Sequence, residues 1–325
     1  MFEVWCDSLV EADWFVDLDS RLNNSKIMTI GSRGKNSKIV DELIQYDRPD
    51  IILVENDKAI LVLEKTREVP TGHNVGQRVA RLVRAAEFGV PVFCFLPFDA
   101  MKHGKYAGMC SINTRLLRAM LKLGEIHQTH AIAINWPCNE NGELIVDGSE
   151  NEEIAQVVSA VLDGLENISN GQLDISRENM RSQIIKREDA FPKYRDLPPS
   201  AKKNFTSKFL ASVPGISQEE RDWLCRRNIS LVYKMDMTPE KCKRQDPYTG
   251  MQFIYDYVWL RNGPHPSNRV ENLILHVPLV DKKTWLKNNP NDKETKSCNW
   301  YLTADAIVLK NGCIVIKEWE HHIDS

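Results

Sequence analysis

Two acidic residues at the ends of neighbouring apolar segments are the strongest chemical feature of this sequence. Asp50 comes directly before one unbroken apolar run, and Glu64 comes directly after a second. A polar segment centred at Asn56 and Asp57 separates the runs, which predicts a hairpin. In that hairpin Asp50 would lie opposite Leu63, one step from Glu64. Two carboxylates at the open end of a hairpin can share Mg²⁺, which lowers the pKa of a bound water and stabilises charge on a phosphoryl group.

The segments around this hairpin predict a sheet covered by helices. The two apolar runs, 51–54 and 59–63, contain no polar residue, as is typical of strands buried on both faces. Helical and strand patterns then alternate: we predict helices at 38–46, 74–88, 111–123 and 151–165, and strands at 90–96 and 130–136. This alternation predicts an α/β domain.

The acidic pair and its spacing resemble a known motif. Arg48-Pro49-Asp50, followed after thirteen residues by Glu64-Lys65-Thr66, resembles the core motif of the PD-(D/E)xK nuclease superfamily, best known from type II restriction endonucleases. The resemblance covers about residues 38–98. It implies a restriction-endonuclease-like mixed sheet flanked by helices, with Asp50 and Glu64 as ligands of Mg²⁺. It also implies that Gln77 is the glutamine that some branches place near the start of the next helix.

One position departs from that motif. The superfamily places its lysine two residues after the glutamate, where this chain has Thr66, and Lys65 comes one residue early. Successive side chains of a regular strand point to opposite faces, so we expect Lys65 to point away from Glu64. A β-bulge that re-aims Lys65, a cation from elsewhere in the chain, and an inactive site are the three alternatives. Lys65 is the candidate catalytic lysine.

A second apolar hairpin near the end of the sequence is a rival site. Its Asn311-Gly312 turn is a strong hairpin signal, and this turn would pair Asp305 with Glu318 and place Glu320 on the same face. Some restriction enzymes have Glu-x-Glu in place of Glu-x-Lys, so this site also resembles the family. Only five residues follow Glu320, too few for the helix and strand that complete the core. The first hairpin is therefore favoured.

Charge is unevenly distributed along the chain, although the formal net charge is only −3. Residues 1–175 carry an excess of nine acidic residues, whereas residues 176–245 carry an excess of seven basic residues. Such a basic segment is typical of a surface that binds a polyanion, although segregated solvated charges give the same pattern. The candidate DNA-binding residues are Arg78, Arg81 and Arg84 on the helix after the first hairpin, and Arg226 and Arg227 in the basic segment.

Together these features predict a two-domain nuclease. We expect a nuclease-like catalytic domain at 1–170, followed at 171–325 by a basic linker and an α+β DNA-recognition domain. The predicted activity is Mg²⁺-dependent endonucleolytic hydrolysis of double-stranded DNA, and the family implies a homodimer. The alternatives are an inactive nucleic-acid-binding protein on the same scaffold and a nuclease that acts on RNA or branched DNA. Scattered cysteines and the lack of a long apolar run predict a cytoplasmic protein without disulfides or membrane partners.

Overall fold

The computed structural model describes residues 1–32, 34–105, 107–168, 170–192, 201–241, 256–258, 260, 270–287 and 300–316. The chain divides into two units, Met1–Leu197 and Pro198–Ser325. Each unit has its own sheet and its own apolar core.

The first unit is built on a mixed six-stranded sheet in the order β2-β1-β3-β4-β5-β8. The pairs β1–β3 and β3–β4 are antiparallel, whereas β1–β2, β4–β5 and β5–β8 are parallel. A separate hairpin is formed by β6 and β7. The strands are β1 (Phe2–Cys6), β2 (Lys26–Thr29), β3 (Ile51–Glu55), β4 (Lys58–Lys65), β5 (Val92–Leu96), β6 (Asp99–Lys102), β7 (Gly108–Ser111) and β8 (Ala131–Asn135).

Helices cover this sheet, which confirms the predicted α/β class. They are α1 (Leu9–Val16), α2 (Lys38–Leu43), α3 (Gly72–Glu87), α4 (Thr114–His127), α5 (Glu152–Leu165) and α6 (Gln172–Ala190). Phe15 of α1 and Val157 of α5 pack with Leu63 of β4 in one buried cluster. Helix α3 contacts β4 and β5. Thr71 caps the start of α3 by accepting a hydrogen bond from the backbone N–H of Asn74.

A β-bulge changes the predicted register of the first hairpin. The turn residues Asn56 and Asp57 have φ of 50° and 60°, as a type I′ turn requires. Next to this turn the strands pair as predicted, but the register shifts between Leu53 and Val54, and Ile51 pairs with Leu63. The prediction that Asp50 lies opposite Leu63 is therefore wrong. Continuing the observed register places Asp50 opposite Glu64, because the bulge inserts one extra residue into β4.

The boundary between the units lies later than the predicted one. Helix α6 lies in the segment that we expected to be a linker, and it packs against α4, α5 and β8 of the first unit. Its buried residues Met180 and Ile184 join the apolar interior. The predicted end of the first domain at residue 170 thus omits a helix that belongs to it.

The second unit contains a five-stranded sheet in the order β13-β12-β11-β10-β9. Its three central strands are parallel, and both edge strands are antiparallel to their neighbours. The elements are β9 (Lys202–Phe205), α7 (Thr206–Ala211), α8 (Gln218–Cys225), β10 (Ile229–Lys234), β11 (Asn272–Val277), α9 (Lys282–Lys287), β12 (Ala306–Leu309) and β13 (Gly312–Val315).

The second hairpin also pairs differently from the prediction. Leu309 pairs with Gly312, so the turn consists of Lys310 and Asn311 and lies one residue earlier than we expected. The backbone N–H of Ile316 donates to the backbone carbonyl of Asp305 at 2.9 Å. Asp305 therefore lies opposite Ile316, and its predicted pairing with Glu318 is wrong. Glu318 and Glu320 lie outside the described residues.

Candidate metal centre

The carboxylate of Glu64 is sealed inside the first unit. Its side chain has no exposed surface, and its Oε1 atom accepts hydrogen bonds from Arg78 at 2.9 Å and from Arg81 at 2.5 Å. Burial raises the pKa of Glu64, and the nearby Asp50 acts in the same direction, whereas Arg81 and Arg78 lower it. The two guanidinium groups thus stabilise the charged form of the Glu64 carboxylate, which burial alone would disfavour. Both arginines bind Oε1, whereas Oε2 is buried without a hydrogen-bond partner. This position suits the predicted metal ligand poorly, because a divalent cation there would lie beside two positive guanidinium groups.

The three arginines of α3 occupy ion pairs within the first unit rather than an open surface. Arg81 is 6% exposed and also donates to Asp47 at 3.1 Å. Arg84 is equally buried and pairs with Glu42 and Glu87 at 3.3 and 3.2 Å. Arg78 divides its guanidinium between Glu64 and Glu68. The prediction that these arginines bind DNA phosphates is therefore not supported, since their charges are already committed to carboxylates.

Asp50 also belongs to an acidic group that the sequence analysis did not predict. Asp7, Glu11 and Asp50 each contribute one carboxylate oxygen to a cluster in which these oxygens all lie within 4.8 Å of one another. We call these three residues the carboxylate triad. The Oδ2 atom of Asp50 accepts from the backbone N–H of Lys65 at 2.7 Å. Three convergent carboxylates are a donor set that suits a hard divalent cation such as Mg²⁺.

The start of α1 places the two new members of the triad. Asp7 follows β1 directly, and its backbone N–H donates to the backbone carbonyl of Asp50 at 2.9 Å, which ties the two strand ends together. Ser8 is the N-cap of α1, and its hydroxyl donates to Glu11 at 3.0 Å. Sequence reasoning missed both acids. The available signal was the Ser8-x-x-Glu11 spacing, which is typical of a helix start immediately after a strand.

Lys65 points to the side of the sheet that carries α1. Its Nζ atom lies 3.8 Å from the centroid of the Trp14 ring, whereas Glu64 faces the arginines of α3. This is the alternation that a regular strand end predicts. Burial and Arg67 lower the pKa of Lys65, and Glu11 and Asp50 act in the opposite direction. Lys65 therefore lies in the field of the carboxylate triad. Gln77 lies in α3, and its side chain is outside the described part of the chain.

Arg48 and Arg67 add positive charge near this centre. The Nη1 atom of Arg48 lies 3.4 Å from an oxygen of Asp7, and the guanidinium of Arg67 lies 4.9 Å from the centroid of the Trp136 ring. Arg67 is exposed and Arg48 is partly exposed. Arg67 is therefore accessible to an anionic substrate, whereas Arg48 is ion-paired with Asp7.

The other predicted DNA-binding residues, Arg226 and Arg227, lie at the end of α8 in the second unit. Arg227 donates to Asp305 and Asn272, each at 3.2 Å, and thus connects this helix end to β11 and β12. Asp305 is 3% exposed and also accepts from the backbone N–H of Leu273 at 2.7 Å. Arg227 and Asp305 therefore have a structural role in the fold, whereas Arg226 is exposed.

Comparisons with known proteins assign no family. No family model, no curated protein and no solved structure matches this chain. Across the described residues, no helix is both long enough and apolar enough to cross a membrane. We therefore infer a function from the chemistry of the carboxylate triad and Lys65.

Proposed function

We propose that this chain is a metal-dependent phosphodiesterase that cleaves double-stranded DNA on a restriction-endonuclease-like scaffold. In this proposal Asp7, Glu11 and Asp50 would hold Mg²⁺, in place of the predicted pair Asp50 and Glu64. The observation that carries the proposal is the cluster of three carboxylates, with Lys65 close enough to Glu11 and Asp50 for both to act on its pKa. Carboxylates that meet beside a lysine are the residue types that phosphodiester hydrolysis requires.

The residues of the centre have separate roles in this mechanism. Bound Mg²⁺ would supply an activated water and stabilise charge on the phosphate. The backbone N–H of Lys65 orients the Asp50 carboxylate, and Ser8 orients that of Glu11. The Lys65 ammonium contacts the scissile phosphate and stabilises its developing charge. Arg48 pairs with Asp7, Arg67 holds a neighbouring phosphate, and Arg226 of the second unit contributes to binding of the DNA backbone.

An inactive DNA-binding protein on the same scaffold is the second candidate. It is favoured by the arrangement at the motif positions, where Glu64 is bound by two arginines and Thr66 replaces the lysine. Such a protein would bind DNA in a salt-dependent manner and cleave nothing with any divalent metal.

Cleavage of supercoiled plasmid in Mg²⁺ or Mn²⁺ tests the proposal. Asp50→Asn and Glu11→Gln should abolish cleavage, whereas Asp13→Asn, an exposed acid on the same helix, should leave the rate unchanged. RNA and branched DNA in the same assay decide the substrate. Metal-dependent cleavage that survives Asp50→Asn would overturn the proposal, and salt-sensitive DNA binding without cleavage would select the second candidate.

A further inference from the structure

A cavity of about 280 Å³ lies within the first unit and shares no residue with the carboxylate triad. Its wall combines the end of α4, the turn that follows, the start of β8 and one face of α6. The polar residues that line it include Glu125, Gln128, His130, Arg177 and Arg181. The cavity thus gathers donors from two helices and a strand start.

Two of these lining residues carry a buried nitrogen that has no hydrogen-bond partner. These atoms are Nε of Arg177 and Nδ1 of His130. A buried donor or acceptor without a partner costs on the order of 1–3 kcal/mol, so such groups normally have one. Burial lowers the pKa of His130, and the nearby Arg177 acts in the same direction. The surrounding protein therefore leaves part of the hydrogen-bonding capacity of Arg177 and His130 unused.

Ion pairs along α6 hold the two arginines in place. Arg177 pairs with Asp174 at 2.7 Å, and Arg181 pairs with Glu178 at 3.0 Å and more distantly with Glu125 at 4.0 Å. All three acids are more than half exposed, so water weakens these ion pairs. A guanidinium has five N–H donors, and these pairs leave others available.

We propose that this cavity binds a small oxyanion, a phosphate or carboxylate group, through Arg177, Arg181 and His130. The planar donor fork of arginine matches the spacing of the oxygens in both groups. The volume is close to the lower end of the range for ligand sites, which fits the anionic group of a small molecule and not a polymer. Glu125 also lines the cavity and limits its positive charge, so we expect a dissociation constant on the order of 1 mM. This proposal does not depend on the nuclease assignment.

Calorimetric titration of the full chain with inorganic phosphate, at constant ionic strength and with chloride as the reference anion, tests the site. Saturable binding is expected for the wild-type chain. Arg177→Gln and Arg181→Gln should each weaken it at least about tenfold, which corresponds to about 1.4 kcal/mol. Lys186→Gln is the matched control, because it removes an exposed cation of α6 that does not line the cavity. Acetate in a parallel titration distinguishes a carboxylate site from a phosphate site.

Two results would overturn the proposal. One is that neither anion gives saturable binding to the wild-type chain. The other is that both arginine variants bind as tightly as Lys186→Gln. Thermal melting of each variant accompanies the titration, so that lost binding is scored only for chains that remain folded. Because Arg177 and Arg181 are both partly exposed, we expect their variants to fold.

Discussion

Arg81 and Glu64 form a buried ion pair, with 2.5 Å between Nη1 and Oε1, that joins α3 to the open end of the β3–β4 hairpin. The same guanidinium donates to Asp47 at 3.1 Å and lies 3.8 Å from Asp50. The acid at the motif position therefore holds a helix against the sheet. Asp50, the other acid of the motif, also lies close to Asp7 and Glu11 from the start of the chain.

Arg81→Met should lower the free energy of unfolding by about 3–5 kcal/mol, because it removes the guanidinium that the buried Glu64 and Asp47 share. Urea unfolding at neutral pH measures the change. The double variant with Glu64→Gln should recover part of the loss, since it removes the uncompensated charge. Lys186→Met, at an exposed site, is the control. A loss for Arg81→Met no larger than that of the control would contradict the structural role of the pair.

Terbium should bind at the carboxylate triad and emit when Trp14 is excited, because Trp14 lies one turn after Glu11 on α1. Asp50→Asn and Glu11→Gln should weaken the emission titration at least about tenfold, which corresponds to about 1.4 kcal/mol. Glu64→Gln should retain terbium affinity if it remains folded. Asp13→Asn serves as the control. Equal losses for Glu64→Gln and Asp50→Asn would instead place the ion at the predicted pair.

Thr66→Lys restores the motif spacing but should not restore the motif chemistry. Thr66 is 6% exposed, so a lysine there would bury a charge and lower the free energy of unfolding by about 2 kcal/mol or more. Plasmid cleavage should not increase. Faster cleavage by Thr66→Lys would show that the active face is the one towards α3.

Lys65→Met should reduce plasmid cleavage at least about tenfold, which corresponds to about 1.4 kcal/mol of activation barrier. Little stability should be lost, because methionine keeps the packing on Trp14.

The fall in the free energy of unfolding at acidic pH should depend in part on Asp19. A hydrogen bond from the Arg21 side chain holds the pKa of Asp19 below its ordinary value of 3.8, even though burial acts in the opposite direction. The charged form is therefore favoured in the folded chain. Its contribution is fully present above pH 3.8 and is lost as the pH falls through the lower folded pKa.

Unfolding of Asp19→Asn between neutral pH and strongly acidic pH tests this linkage. Near neutral pH the variant should be less stable by roughly 1 kcal/mol, a modest value because water screens a partly exposed pair. The difference should shrink in strong acid. Asp13→Asn, which replaces an exposed acid nearby, should show no such change. A constant difference across the whole range would mean that the Asp19–Arg21 pair does not titrate with folding.

Local sequence patterns were sufficient to predict β3, β4, β5, β8 and the helices α2 to α5 of the first unit, but not β1, β2, β6, β7 or α1. The apolar runs around Asn56 and Asp57 form the hairpin, and the periodic segments form α3, α4 and α5 with ends shifted by a few residues. These features depend on neighbouring residues alone, through turn chemistry and hydrophobic period. The same reasoning missed α6, because that helix has charged residues throughout and little apolar periodicity.

The sequence by itself determined that a hairpin with an acid at each open end would form, and that Lys65 would point away from Glu64. Only the tertiary structure decided what those acids do. The arginines that bind Glu64 come from a helix more than a dozen residues further on, and the acids that join Asp50 come from about forty residues earlier. No local period encodes such contacts, because they arise when β1, β3 and β4 are placed side by side and a single bulge sets their register.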